Sequence, residues 1–367
     1  MTDQVVRVPV AIVGGGPAAA AMAHRLALAH VPALVIERTD GSGSSLGESL
    51  GGSINPVLAN MGLEGALAES GPIPSLANLS CWGSATIEER HVLREPYGDG
   101  WHLDRPAFNR ALLAAAQRTG AMVWRHAVVR NVAPMEAGGW QLTVTRDGAV
   151  TTVEAGLIAD AGGRKAPVAR RLGAHIVRDD QLAAVWTRLP RPKGFPNATF
   201  VEAIEHGWWY AAPVPDAKIV VALFSDPDII ATLRAWQPAG WLAARQLAPV
   251  LSTLLDETAV PDRVQIAAAG SSLLEPAGGE GWLAAGDAAA AHDPIASHGI
   301  GSALTTGTQA ADALLATMAG DTQAIADYAA RFAARHTVER QAISAVYGLE
   351  RRWPNAPFWC RRHSSAH

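Results

Sequence analysis

Residues 8–40 read VPVAIVGGGPAAAAMAHRLALAHVPALVIERTD, and the order of residue types in this stretch decides the fold. Residues 8–13 form an apolar run of strand length. Gly14-x-Gly16-x-x-Ala19 then opens an alanine-rich helix, and residues 31–36 make a second apolar strand ending at Glu37. Each part has a mechanical reason. Gly14 permits a tight turn, Gly16 leaves the backbone open to a pyrophosphate, and Ala19 lets the helix lie close on the strand. The helix that starts at Pro17 offers the free N–H groups of Ala18 and the residues after it, and a positive dipole end, to phosphate. Glu37 is placed to accept hydrogen bonds from an adenosine ribose, and Arg38 beside it joins the same set. The unit predicts a dinucleotide site, and by itself it does not separate FAD from NAD.

Composition narrows the class. The 367 residues are 49% hydrophobic and 17% charged, which suits one large domain or two intertwined ones around a sizeable core. A net charge of only −4, with no block of like charge, argues against nucleic acid or an anionic membrane as partner. No signal peptide is read at the N-terminus, and no run of about 18 apolar residues is present to span a bilayer. Cys81 and Cys360 match no metal spacing, so no metal is expected and a reduced, cytoplasmic protein is the plain reading.

The strand-plus-glycine theme returns twice. In VEAGLIADAGGRKAPVARRLG, residues 153–173, a strand ends at Asp160, the chain turns through Gly162-Gly163, and residues 166–172 read as a helix. In GWLAAGDAAAAHDPIASHGIGSALTTGTQAADALLA, residues 281–316, a strand ends at Gly286-Asp287, and Gly299 and Gly301 open a helix after Asp293-Pro294. In WHLDRPAFNRALLAAAQRTG, residues 101–120, Arg105 starts an amphipathic helix.

These patterns resemble the flavoprotein hydroxylase superfamily, which is built on the glutathione-reductase-type FAD domain. The resemblance implies FAD as cofactor. It gives Asp287 the ribityl chain, Arg105 the phosphates, and the backbone of Val128 a place beside the adenine. Pro294, Gly299, Ile300 and Gly301 become a helix start aimed at the pyrimidine edge of the flavin, and Gly162 joins the same site. A helix N-terminus aimed there would stabilise negative charge on the reduced ring.

The implied fold class is α/β (α+β overall): an FAD-binding Rossmann-like domain with an inserted β-sheet substrate domain and a helical C-terminal region. The FAD-binding part takes residues 1–75, 100–180 and 265–320, and the substrate domain takes 76–99 and 181–264. The latter reads as strands with Pro-rich turns and one helical part at residues 226–257. Residues 321–367 form a long helix and an aromatic, Pro-broken tail, WPNAPFWCRRH at 353–363, which either docks back or meets a partner chain. No second nucleotide-binding βαβ unit is read, so electrons come from an external donor or a separate reductase.

Three further stretches narrow the family. They are Gly47-Glu48-Ser49, HGWWYAAPVPDAKIVVALFSD at 206–226, and LERRWPNAPFWCRRH at 349–363. They look like segments of the flavin-dependent halogenases and of their relatives, the LodB/GoxB/QhpG-type flavoproteins that help to build protein-derived quinone cofactors. The resemblance runs nearly end to end. Three departures from the halogenases stand out. Trp82 stands about where they keep a catalytic Lys, and no Lys precedes Gly163. Ala296 replaces the Glu of their D-P-x-E-S-x-G-I segment, and their W-x-W-x-I-P signature appears as Trp208-Trp209-Tyr210-Ala211-Ala212-Pro213.

The expected chemistry is therefore oxygen transfer from reduced flavin and O2 to an electron-rich aromatic ring. A Trp side chain in a partner polypeptide, on the way to a tryptophylquinone-type cofactor, is the leading substrate. A hydroxylase or halogenase-like enzyme acting on a free aromatic metabolite is an alternative, as is a non-catalytic flavin-holding assembly factor docking through its aromatic tail. Trp208, Trp209 and Tyr210, with Trp186, are expected to form the substrate layer, although neighbouring strand aromatics serve equally as core. His298, with His292 near it, is the candidate for proton transfer. Ser49 is placed with the flavin-binding residues. Glu48 either binds flavin or substrate as a catalytic group or caps a turn.

Overall fold

The structure is a computed structural model and describes residues 5–41, 46–91, 96–255 and 260–364. Its organising element is a sheet with five parallel strands in the order Trp282–Ala284, Ala149–Asp160, Val5–Val13, Ala33–Ile36, Met122–Trp124. The central strands are sealed on both faces; Val10, Ile12, Leu34, Val35 and Ile158 have no solvent exposure. That burial is what their unbroken apolar sequence requires. Val13 pairs with Asp160, and Asp160 pairs with Ala284. The turns at Gly14, Gly162 and Gly286 therefore leave three adjacent strands at the same edge, where an open parallel sheet binds its ligand. Two antiparallel strands, Ala127–Pro134 and Trp140–Arg146, extend the sheet from Ala149–Asp160.

Glycines set how closely the helices approach. A Cβ on Gly307 would stand 2.3 Å from the Ala18 carbonyl oxygen, so helix Gly299–Met318 lies directly on helix Pro17–Leu28. Gly286 has φ +59°, and a Cβ there would stand 2.8 Å from the Ala18 Cβ. The first and third glycine motifs thus touch through one alanine. Gly14 has φ +114°, and a Cβ on it would stand 2.2 Å from the Ala161 carbonyl oxygen, which joins the first motif to the second.

A second sheet of seven strands runs from the edge strand Gln265–Ala268 to the edge strand Glu88–His91. The helical part expected at residues 226–257 is three short helices on one face: Pro227–Thr232, Pro238–Arg245 and Pro249–Leu254. Each begins at a proline, whose missing N–H is harmless at a helix start and breaks a continuous helix elsewhere. Residues 256 and 257 lie outside the described residues. Residues 166–172 likewise do not make an α-helix. They fold as 3-10 turns at Gly163–Lys165 and Ala169–Leu172, because the buried Asp160 carboxylate captures the N–H groups of Val168 (2.7 Å) and Ala169 (2.9 Å).

The other face of the second sheet receives helices Ala324–Gly348 and Pro357–Ser364. The aromatic tail docks back here. Phe358 and Trp359 are fully buried, and the Trp359 indole donates to the Ile204 carbonyl at 2.9 Å. Arg362 stacks over Phe358 at 3.5 Å and pairs with buried Asp226 at 2.8 Å. The tail is core and not a docking element, which removes the structural basis of the assembly-factor reading. A small sheet of Ser49–Leu50, Gly100–His102 and Ile73–Ser75 ties the Gly47-Glu48-Ser49 segment to the start of helix Arg105–Thr119. Among the described residues no helix is long and apolar enough to cross a membrane.

Substituting Gly307→Ala forces a methyl group against backbone that cannot give way, so unfolding free energy should fall by about 3 kcal/mol. Urea unfolding of the variant against wild type measures it, and an unchanged midpoint would show that the helix contact is not tight.

Candidate active site

The glycine edge of the first sheet, the second sheet and the start of helix Gly299–Met318 enclose a cavity of about 480 Å³. Gly16, Pro17 and Ala18 line it from the first motif. Asp287, Pro294, His298, Gly299 and Ile300 line it from the third, and Ser49, Arg105 and Tyr210 close it. Sequence-expected residues more than a hundred positions apart thus share one wall.

The two helix starts fit a long anionic cofactor. Gly16 caps Pro17–Leu28 and His298 caps Gly299–Met318; neither helix has a side-chain cap or an acidic residue in its first turn. Their N–H groups stay available, and the dipoles favour negative charge. A Cβ on Gly16 or Gly299 would meet no protein atom within 4 Å, so open space lies against the backbone at both ends. Pro294–Ala296 is a separate 3-10 turn capped by Asp293, and the α-helix starts only at Gly299, because Ser297 turns left-handed at φ 53°. The Arg105 guanidinium reaches in from the side. Its Nη1 donates to the Gly47 carbonyl at 2.8 Å, while its buried Nε has no partner among the described residues. Burial lowers its pKa, and Glu48 and Asp287 oppose that shift. A half-buried arginine with a spare donor suits a phosphate oxygen.

Other expected residues stand at the edge of this set. Glu37 lies over the first glycine turn, with Oε1 accepting from Thr39 N (2.7 Å) and Thr39 Oγ1 (2.6 Å) and Oε2 against Gly15. The Ala127 N–H donates to the Glu37 carbonyl at 2.9 Å, so Val128 runs beside it, and Arg38 is exposed there. These three stand together beside the first glycine turn, outside the cavity lining. Ala19 is fully buried in the helix packing. A Cβ on Gly301 would make only ordinary contact with Ile54 at 3.6 Å, and the residue does not line the wall.

Several expectations need correction. Gly162 does not face the cavity: a Cβ on it would stand 2.5 Å from Pro167, whereas Gly163 forms the wall. Trp209 leaves the substrate layer. Side chains alternate along strand Gly207–Val214, so Trp209 points away from Tyr210 and packs edge-on against Trp241, with centroids 5.1 Å apart, in a separate core. Trp208 shares the face of Tyr210 but is buried behind it, stacked on Phe224 at 4.0 Å with its indole donating to the Tyr347 hydroxyl at 3.0 Å. The aromatic wall is Trp186, Tyr210 and Phe224. Phe224 was legible as the cross-strand partner of Trp208 only once the strand register was known.

Glu48 also points away from the cavity. It has no exposure, accepts from the Gly47 N–H at 2.8 Å, and its Oε1 stands 3.8 Å from the Arg188 guanidinium. Burial pushes its carboxyl up to about 7 against the pull of Gly47, Arg188 and Arg105. Ser49 faces the cavity and bonds the Tyr210 hydroxyl at 2.7 Å. From Ser49 a chain continues through Thr199 (3.0 Å) to His102 (3.1 Å), whose ring burial holds neutral with a pKa of about 3. His298 stands exposed at the rim. His292 lines the cavity as well, with its ring engaged by Glu339 at 2.7 Å.

One functional residue escaped the sequence reading. Arg164 faces Asp287 at 3.6 Å and donates to the His292 carbonyl at 2.9 Å and to the Gly270 carbonyl, so it pins the third motif to the second. Its only sequence signal was its place directly after Gly162-Gly163.

Two bare helix starts on one cavity, a half-buried arginine and an aromatic wall define a flavin-binding oxidoreductase site. The sequence matches the family described as FAD binding domain over residues 7–344, and the chain belongs to that family. It binds FAD and is an FAD-dependent oxidoreductase related to the flavin monooxygenases and halogenases. It is 31% identical over 363 residues to a putative FAD-dependent oxidoreductase, LodB, of Marinomonas mediterranea, with 96% of each chain covered. The flavin-dependent halogenase CmlS superposes with a TM-score of 0.86 at 25% identity, over 99% of this chain and 68% of that one. The peptidyl tryptophan dihydroxylase QhpG shares the fold with a TM-score of 0.78 at 23% identity, over 97% of this chain and 79% of that one.

Removing the Arg105 side chain should weaken FAD binding by about 10- to 100-fold, the worth of one charge-assisted hydrogen bond. Flavin fluorescence titration of Arg105→Ala reads this, and an unchanged Kd would take Arg105 out of the site. Glu48 makes a signed pH prediction. Its folded pKa of about 7 lies above the ordinary 4.5, so the folded chain holds the extra proton and stability falls as pH rises from 4.5 through 7. Glu48→Gln should remove up to about 3 kcal/mol of that decline, measured as unfolding free energy against pH. Parallel curves for the two proteins would refute it.

Proposed function

We propose that this protein is an FAD-dependent monooxygenase that hydroxylates a tryptophan side chain held in a partner polypeptide, a step toward a tryptophylquinone-type cofactor. The observation that carries the reading is the cavity wall. Trp186, Tyr210 and Phe224 present flat aromatic surface beside the flavin helix start, which suits an indole. The halogenase groups are replaced: Trp82 packs edge-on against Trp208 and Trp359 with its indole donating to the Val346 carbonyl, and Ala296 offers no acid. QhpG, of like fold, is a peptidyl tryptophan dihydroxylase essential for tryptophylquinone cofactor biogenesis, which supports the polypeptide substrate.

When bound and reduced, FAD supplies the activation of O2. The chain does the rest. The N–H groups of Gly16 and Ala18, with Arg105, hold the diphosphate, and the Gly299 helix start stabilises charge at the pyrimidine edge. Tyr210, fixed by Ser49, orients the indole, and His298 at the rim accepts the proton lost from the ring carbon. Residues 1–75, 100–180 and 265–320 serve FAD, and 76–99 and 181–264 serve substrate. An external donor or reductase provides two electrons per turnover. One oxygen atom enters a C–H bond and the other leaves as water. We assign the reaction to the cytoplasm, in keeping with a chain of only two cysteines, Cys81 and Cys360.

The test is mass spectrometry of the precursor subunit of a quinone-cofactor enzyme after incubation with reduced holoenzyme and O2. A gain of one or two oxygen atoms on a tryptophan is expected, falling on the order of 100-fold in rate with Tyr210→Ala. No gain on the polypeptide, with oxygenation of free indoles instead, would overturn the reading in favour of a small-molecule hydroxylase.

A further inference from the structure

Behind the flavin cavity lies a second one of about 400 Å³, between Asp180, Ser271 and helix Ala324–Gly348. Among the described residues, Asp293 alone is common to the two walls. It is buried, and both its oxygens are used: Oδ1 accepts from the Ile295 N–H at 2.9 Å and Oδ2 from the Tyr347 hydroxyl at 2.8 Å. Tyr347 lines the second cavity, and its oxygen accepts from the Trp208 indole at 3.0 Å, which leaves one lone pair for water.

We propose that Asp293 and Tyr347 form a proton link that carries protons from water in the second cavity to the flavin cavity. Asp293, as the acid, gives its proton to a basic oxygen in the flavin cavity. Its carboxylate takes the phenol proton along the 2.8 Å bond, and the phenol oxygen takes a proton from water. One O–H bond breaks and one forms at each member, so the pair returns unchanged and one proton has moved. Capping the 3-10 turn does not explain the residue, since an asparagine caps Ile295 equally well.

The surroundings tune Asp293 for this work. Burial raises its carboxyl to about 6; the Ile295 N–H, the Tyr347 hydroxyl and Arg362 pull it down, and Asp180 pushes it up. Arg164 holds the neighbouring His292 carbonyl, and Asp179 and Arg340 face the same second cavity. A group poised near the working pH exchanges protons in both directions.

The holoprotein tests this through the absorption band of bound FAD followed against pH. Wild type should show a one-proton transition near pH 6, the acid form lying below it. Asp293→Asn should abolish the transition. Tyr347→Phe should move it to higher pH, because the lost hydrogen bond favoured the ionised form. Reoxidation of the reduced holoprotein by O2 should slow on the order of 100-fold in both variants. Glu48→Gln, behind the wall, should leave the transition in place. Persistence of the transition in Asp293→Asn, or a wild-type midpoint and rate in Tyr347→Phe, would overturn the link. Should Asp293→Asn fail to retain FAD, Tyr347→Phe decides alone, since Tyr347 lies outside the flavin cavity. The use made of the proton rests on the oxygenase reading, but the titration needs only bound FAD. A normal titration with no oxygen on the polypeptide would therefore fault the substrate and leave the link standing.

Discussion

The contact of Ala18 with Gly286 and Gly307 holds the molecule's chemistry in place. A side chain at either glycine would push the late helix off the first one. With glycine at both positions, backbone packs on backbone, and two helix starts nearly three hundred residues apart in sequence open into one cavity. Neither start is capped by its own side chains, so each leaves unsatisfied N–H groups and a dipole end facing the same space. A folded protein keeps such groups bare at a cost in stability, and a ligand with a diphosphate at one end and an electron-accepting ring at the other offsets it.

Around this cavity the charged groups are arranged in depth. Arg105 and the Asp287–Arg164 pair are at the wall, where a cofactor meets them. Glu48 and Arg188 lie behind the Gly47-Glu48-Ser49 turn, and Asp293 stands between two cavities. Burial dominates both acids, raising Glu48 to about 7 and Asp293 to about 6. Carboxyl groups held in this range change charge under physiological conditions, unlike exposed ones. The site therefore carries proton-handling capacity that does not depend on the exposed His298.

The sequence revealed the parts whose physics is local. The Gly14 turn, its helix and the strand ending at Glu37 needed only spacing and residue type, and the late Gly299 helix start was readable in the same way. What depended on register or on distant partners was hidden. Adjacent Trp208 and Trp209 look alike in sequence, yet strand alternation sends one toward the flavin side and the other into a separate core. Gly162 and Gly163 are likewise neighbours, and only the position of Pro167 shows which one forms the wall. Whether the aromatic tail docks back or meets a partner stayed open in sequence because its cover, the second sheet, lies more than a hundred residues earlier. Asp293 was visible as part of a motif, but its function depends on Tyr347, which no spacing rule connects to it.

A crystal structure of the FAD-reconstituted protein tests the central claim most directly. The diphosphate should lie within hydrogen-bond distance of the N–H groups of Gly16 and Ala18 and of Arg105, with the pyrimidine edge of the ring against the amides of Gly299 and Ile300. Density for the ring away from the Gly299 helix start, with Trp186, Tyr210 and Phe224 left facing no flavin, would contradict the account.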